Sequence, residues 1–365
     1  MAETIEVNFY SQKISIAYDK SVAVDHSFSA NDQSIRLYYN QLLQSGYTII
    51  VSDLQRAKKE LHLNDWFYYE LVRNTAATLF KNESENYRQA FTWFILGESG
   101  YNVIIGFTKS FELYVYSQSE VYDRSIITLG DKDYVSIDNF PKTGSTMGYC
   151  QFIPGTMNAA FDFSITLPNL KGDSILEMQK EFTFKGSVEK YTYSVSSNFL
   201  EFMRGYPKLN SQEYFSVQLS PVTYNSLMPQ LKERIKGLSE EDAVRYLLSF
   251  VRLTFSPQFD SENKPVDFNP MIAEETLYYA YGDCEGKSVL FHFLVKELVG
   301  TPMIALLYPN HINVAVQFNQ SYGSPVKFND GLYTVCEPNL VGDIAEFDHA
   351  GSTEKYARAR VMVIN

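Results

Sequence analysis

The 365-residue sequence is poor in cysteine, histidine and tryptophan, with three, five and two of them. Cys150, Cys284 and Cys336 are an odd number, so at least one thiol is free or bonds outside the chain, and a disulfide-stapled scaffold is excluded. Two cysteines so far apart with a lone histidine lack zinc-site spacing, so no metal and no cofactor is expected. Positive charge is also short: 31 Lys and Arg stand against 43 Asp and Glu, a net charge of −12. Nothing offers the basic face that nucleic acid or an anionic membrane requires, and the partners to expect are neutral or cationic. No apolar run reaches the roughly 18 residues of a membrane-spanning helix. The start, MAETIEVNFY, has neither the basic nor the apolar region of a secretory leader.

What is present suits a packed protein of two or three domains. Hydrophobic residues make up 45% of the chain, and 27 Tyr and 26 Phe supply large core side chains, a profile opposed to disorder. Residues 4–17 alternate apolar and polar as a strand pair. Ser52 and Asn64 each precede an acid and an apolar stripe at helical spacing, and a third helix is predicted over Tyr87–Glu98 with Gly100 closing it. NVIIGF, ELYVYS, SIITLG and DYVSID then read as short antiparallel strands, so residues 1–140 form an α+β domain. Residues 141–219 lose the helical signal, and GYCQFIP, AAFDFSITLP, FTFKGSVEKYTYSVS and YFSVQLS predict a β-sandwich-like module. Helices return in residues 220–365 with SLMPQLKERIKGL and, behind a Ser239–Asp242 capping pair, EEDAVRYLLSFVRLTF.

The chemistry-bearing segment is ETLYYAYGDCEGKSVLFHFLVKELVG, a loop that delivers Cys284 to the start of a helix running to about Leu298. A thiol there lies beside orphan N–H groups and the positive end of the helix dipole, which stabilise a thiolate. A nucleophile also needs a base within reach and a group to orient that base. His311 opens the strand HINVAVQF and Glu337 ends the strand YTVCEPN; if these strands pair antiparallel, both side chains reach one sheet edge. Asn339 and Asp343 are alternative third members. Cys150 and Cys336 sit in apolar strand settings as inert core thiols, His292 is packed or superficial, and His26, His62 and His349 are surface residues. YGDCEGKS imitates a phosphate loop, but its glycines are one residue too close and its two acids would repel phosphate.

GDCEGKSVLFHFLVKELVGTPMIAL, NHINVAVQF and YTVCEPN together resemble the transglutaminase-like cysteine-enzyme superfamily, and the segment from SFVRLTFSPQFDSENKP onward is similar to exported bacterial members. The resemblance covers about 220–345. It implies a papain-like catalytic domain in which Cys284, His311 and Glu337 form the triad, although the family usually has Asp at the third position. It also implies acyl transfer from an amide through a thioester, with His311 as base and a peptide, protein or cell-wall amide as substrate. The backbone N–H of Cys284, helped by Tyr279 or Tyr281, is the expected oxyanion donor. Export to the periplasm or cell surface is a further expectation from the resemblance.

The front of the chain repeats this pattern. An offset of 200 residues sets Gly100 opposite Gly300, Ser84 opposite Cys284 and Phe111 opposite His311, and an offset of 199 sets Asp138 opposite Glu337. Residues 30–140 are therefore expected to be a degenerate, non-catalytic transglutaminase-like copy used for binding or docking. Two functions follow as expectations: a thiol peptidase or amidase, or a catalytically inactive binding and cell-surface assembly protein of the same fold.

Overall fold

The computed structural model describes all residues except 1, 108–109, 139–147, 153, 156, 167, 258–270, 280, 283, 309–310, 321, 324, 339–358 and 365. The chain is mixed α+β and divides into two compact units, one of Met1–Asp173 with Gly205–Leu209, the other of Ser174–Arg204 with Asn210–Asn365.

The first unit opens with the hairpin β1 (Ala2–Phe9) and β2 (Gln12–Asp19), whose alternation buries Val7, Phe9, Ile14 and Ile16. Four helices follow: α1 (Asp32–Leu43), α2 (Tyr47–Glu60), α3 (Asp65–Leu79) and α4 (Glu85–Glu98). Asn31, Asn64 and Ser84 cap α1, α3 and α4 by accepting from the N–H groups of Ser34, Phe67 and Tyr87. Ser52 is not a cap. It lies inside α2, which begins at Tyr47 and buries Ile50, Val51, Leu54 and Ala57, and the β-branched run TIIV had hidden that first turn. Helix α4 is buried nearly all round, and its Trp93 Nε1 donates to Val103 O at 3.0 Å. The chain turns at Gly100 with φ 101°, open to glycine, into β3 (Val103–Phe107), β4 (Phe111–Tyr116), β5 (Ile126–Leu129), β6 (Lys132–Ser136) and β7 (Gly148–Tyr149). They form one antiparallel sheet in the order β5-β6-β4-β3-β7.

The second unit begins with the hairpin β8 (Ile175–Phe184) and β9 (Ser187–Ser196), then α5 (Ser197–Arg204), α6 (Ser211–Ser216), α7 (Pro221–Ile235) and α8 (Glu240–Thr254). Ser239 caps α8 through the Asp242 N–H, as its sequence promised. The short strands β10 (Ser256–Pro257) and β11 (Tyr281–Gly282) pair in parallel around α9 (Ala273–Tyr278). Then come α10 (Cys284–Leu298), β12 (Met303–Tyr308), β13 (His311–Val316), β14 (Val326–Phe328), β15 (Gly331–Cys336) and β16 (Arg360–Val363), with sheet order β14-β15-β13-β12-β16.

The sandwich expected over 141–219 does not form among the described residues. Strand β7 joins the first unit's sheet, β8 and β9 are a hairpin of their own, and SNFLEFMR and SQEYFS are helices. Period-two alternation reports that a strand has one covered face and not what covers it. In β8–β9 the covering comes from α7 and α8, against which Phe182, Tyr191, Tyr193 and Val195 are buried.

The two units share one plan: a buried helix, a positive-φ glycine, then strands whose sheet orders correspond member for member. Pairing fixes the correspondence. Ile104 pairs with Tyr114 as Ile304 pairs with Ala315, and Tyr114 pairs with Ser136 as Ala315 pairs with Val335. Ile104 and Tyr114 belong to one apolar cluster in the first unit, as Ile304 and Ala315 do in the second, so the faces agree as well. Continuing the register sets Asp138 opposite Glu337. It also corrects one expectation: Ser110, not Phe111, lies opposite His311, because one residue fewer separates Phe107 from Phe111 than separates Leu307 from Ile312.

Candidate active site

Three elements of the second unit deliver the site. Cys284 is the first residue of α10 and half-buried, His311 is the first residue of β13, and Glu337 follows the last residue of β15. Strands β13 and β15 pair antiparallel through Val314 and Cys336, which brings the start of one beside the end of the other. His311 Nε2 lies 2.7 Å from Glu337 Oε2, and the Glu337 side chain is nearly buried. A carboxylate only accepts, so Nε2 carries the proton to it and the ring's other nitrogen is left for the sulfur. The Cys284 side chain acts on the same imidazole. Helix α10 is fixed against β13 by Ser288, whose Oγ donates to Ile312 O at 3.1 Å.

The electrostatics follow from this chain of partners. Cys284 and then the hydrogen bond to Glu337 push His311 from 6.5 up to about 10, against the opposing effect of burial. Imidazolium is thus the neutral-pH form. A raised histidine stabilises the fold fully below about pH 6.5 and loses that contribution as pH rises through about 10. Thermal unfolding of wild type and His311→Ala across pH 6 to 11 is expected to show the two midpoints converging at the alkaline end. A gap independent of pH would contradict the pairing.

The other thiols have different surroundings. Cys150 and Cys336 are buried, and burial pushes the Cys150 thiol up to about 12. A neutral alkylating reagent applied to the folded protein is expected to label Cys284 and spare these two, as peptide mapping would read; labelling of Cys150 first would contradict this arrangement. His292 is 2% exposed, edge-on to Phe215, and burial lowers it to about 4, so it is a neutral core histidine. His62 is exposed, whereas His26 is not a bare surface residue: its ring nitrogens meet Gln41 Oε1 at 3.0 Å and Ser34 Oγ at 3.1 Å. Tyr279 is the C-cap of α9 and stands edge-on to Tyr278, and Tyr281 belongs to β11, so both lie on the segment leading to Cys284. Asn339, Asp343 and His349 lie outside the described residues.

Two supporting groups were missed in the sequence. Glu274, in the first turn of α9, is 1% exposed; its carboxylate accepts from Ser196 N, Ser220 N, Ser220 Oγ and Thr223 Oγ1 at 2.7–2.9 Å. It ties the end of β9 and the cap of α7 to the segment that carries Cys284. Arg252, on α8, is 6% exposed, and its Nε donates to Glu337 O at 2.7 Å. Its signal was a charge in the apolar stripe of α8, four residues past Leu248 and one past Val251.

The first unit keeps the acid and lacks the rest. Ser84 caps α4, Ser110 occupies the histidine position, and Asp138 turns inward. Asp138 accepts from Gln89 Nε2 at 2.9 Å, Tyr69 OH at 3.2 Å and Leu113 N at 2.6 Å, and burial pushes its carboxyl upward. Among the described residues no cluster of His, Cys, Asp and Glu could hold a metal ion, and no helix is long and apolar enough to cross a membrane. Comparison of the chain with protein-family models, curated proteins and solved structures finds no match.

Proposed function

We propose that the second unit is a thiol hydrolase of transglutaminase-like type, a peptidase or amidase acting on an amide bond. The observation that carries this reading is the 2.7 Å pairing of His311 with the nearly buried Glu337, on a ring whose charge is raised also by Cys284 at the start of α10. Thiolate attacks the amide carbonyl carbon, and the carbonyl electron pair becomes an oxyanion beside the Cys284 N–H at the helix start. His311 then gives its proton to the departing amine, leaving a thioester on sulfur. Acylation removes the partner that raises His311 most, so the ring stays neutral after giving up its proton and is free to accept one at the step that needs a base. It takes a proton from water, hydroxide adds to the thioester, and the carboxylic acid leaves as Cys284 is regenerated. An amine in place of water would give transamidation by the same route.

The first unit, with Ser84 and Ser110 where nucleophile and base stand, is the non-catalytic partner in this reading, a transglutaminase-like copy suited to docking. Export to the periplasm or cell surface belongs to the same proposal and is tested by cell fractionation. The substrate class is peptide, protein or cell-wall amide. A screen of peptides and cell-wall fragments with wild type and Cys284→Ala tests the reading: turnover lost in the variant supports it, and equal turnover ends it. A wild type that binds fragments without turning any over favours the inactive binding protein instead.

A further inference from the structure

We propose that Arg252 is a positioning residue that sets the Glu337 carboxylate on His311 by holding the backbone of Glu337, an inference that rests on the thiol-hydrolase reading. The last pair of the β13–β15 ladder is Val314 with Cys336, so Glu337 is the first residue beyond it. Its carbonyl finds a partner outside the sheet, in the Arg252 Nε at 2.7 Å. A buried guanidinium is costly unless hydrogen-bonded, and a planar donor on a packed helix is a rigid post. The same residue whose carbonyl is held in this way sends its side chain to His311 Nε2 at 2.7 Å.

The first unit supplies an internal comparison. Asp138 occupies the position of Glu337, and its carbonyl too accepts from a buried guanidinium, Arg124 Nη1 at 3.0 Å. Arg124 comes from the segment before β5, whereas Arg252 comes from α8, so the same carbonyl is held from different elements. The carboxylates, by contrast, part company: Asp138 is satisfied by Gln89, Tyr69 and Leu113, and Glu337 is given to a histidine. Arg124 also lies 3.5 Å from the Asp123 carboxylate, so what the two arginines share is the hold on the carbonyl at the strand end.

The test is a double-mutant cycle on the full chain, read by the rate of Cys284 alkylation with iodoacetamide from pH 5 to 10 and by the NMR titration of His311. Arg252→Met is expected to slow alkylation at pH 6 by a factor of about 3 or more. It should also move the His311 midpoint down from about 10. In a Glu337→Gln background the same substitution should add nothing, because the group it positions is gone. Equal slowing in both backgrounds, or an unchanged pH profile in Arg252→Met, overturns the proposal. If Arg252→Met fails to fold, Arg252→Lys replaces it in the cycle. Its single, shorter donor is expected to slow the reaction only where Glu337 is present; wild-type rates, or slowing in both backgrounds, overturn the proposal. The wild-type profile is read first: a Cys284 that titrates as an ordinary thiol sinks the hydrolase reading itself, and a paired Cys284 indifferent to Arg252 sinks this inference alone.

Discussion

His311→Ala is expected to lower amide hydrolysis at Cys284 by about 100- to 10,000-fold, the usual worth of a positioned proton donor and acceptor. The imidazolium has two jobs in the proposed cycle, and alanine removes both. It leaves the sulfur without the cation that His311 supplies and leaves the departing amine without a proton source. Alkylation by iodoacetamide, which needs only the thiolate, should fall less, by about tenfold at pH 7, where an ordinary thiol is a few per cent ionised. That smaller deficit should vanish above about pH 9, because every thiol is then largely thiolate. Hydrolysis should not recover there. Equal losses in the two assays, or rescue of hydrolysis at alkaline pH, would contradict the assignment of proton transfer to His311.

Glu274→Ala is expected to cost about 4 kcal/mol of stability, from stranding four buried donors at about 1–3 kcal/mol each with partial relief by relaxation. Those donors are two backbone N–H groups and two hydroxyls, and they converge on one carboxylate at the base of α9. Glu274→Gln keeps one acceptor oxygen and should lose about half as much. Urea unfolding, followed by a probe in the second unit, measures both. A change under 1 kcal/mol for alanine would mean that the carboxylate does not clamp this corner. Activity lost at temperatures where Glu274→Ala is still folded would show that the clamp also sets the nucleophile's segment.

The site was legible from the sequence because its three residues sit at element ends, where boundary signals are strongest. Cys284 stands between glycines at a helix start, His311 opens an apolar run, and Glu337 precedes a proline. The repeat was legible for the same reason: Gly100 and Gly300 punctuate both halves, and both have the positive φ that made glycine informative. The β-hairpin of the second unit was legible as strands but not as a hairpin packed on helices, since alternation is silent about the partner layer. The start of helix α2 is obscure in the sequence because its β-branched first turn looks like a strand until Leu54 and Ala57 are included. Glu274 has no signal in the sequence, and Arg252 has only its charge in an apolar stripe. The role of a buried charge is set by the groups that satisfy it, and those come from residues 51 to 78 and 85 positions away. Register, too, needed coordinates: the one-residue difference that replaces Phe111 by Ser110 opposite His311 is a property of pairing and not of spacing.

The central claim is a thioester on Cys284, and intact-mass and peptide-mapping spectrometry of the acid-quenched protein during turnover of an active peptide or cell-wall amide tests it most directly. The account predicts an acyl fragment on the Cys284 peptide, released by hydroxylamine, absent from Cys284→Ala and longer-lived in His311→Ala once formed from an activated ester. Turnover with no adduct at Cys284, or an adduct on any other residue, would contradict it.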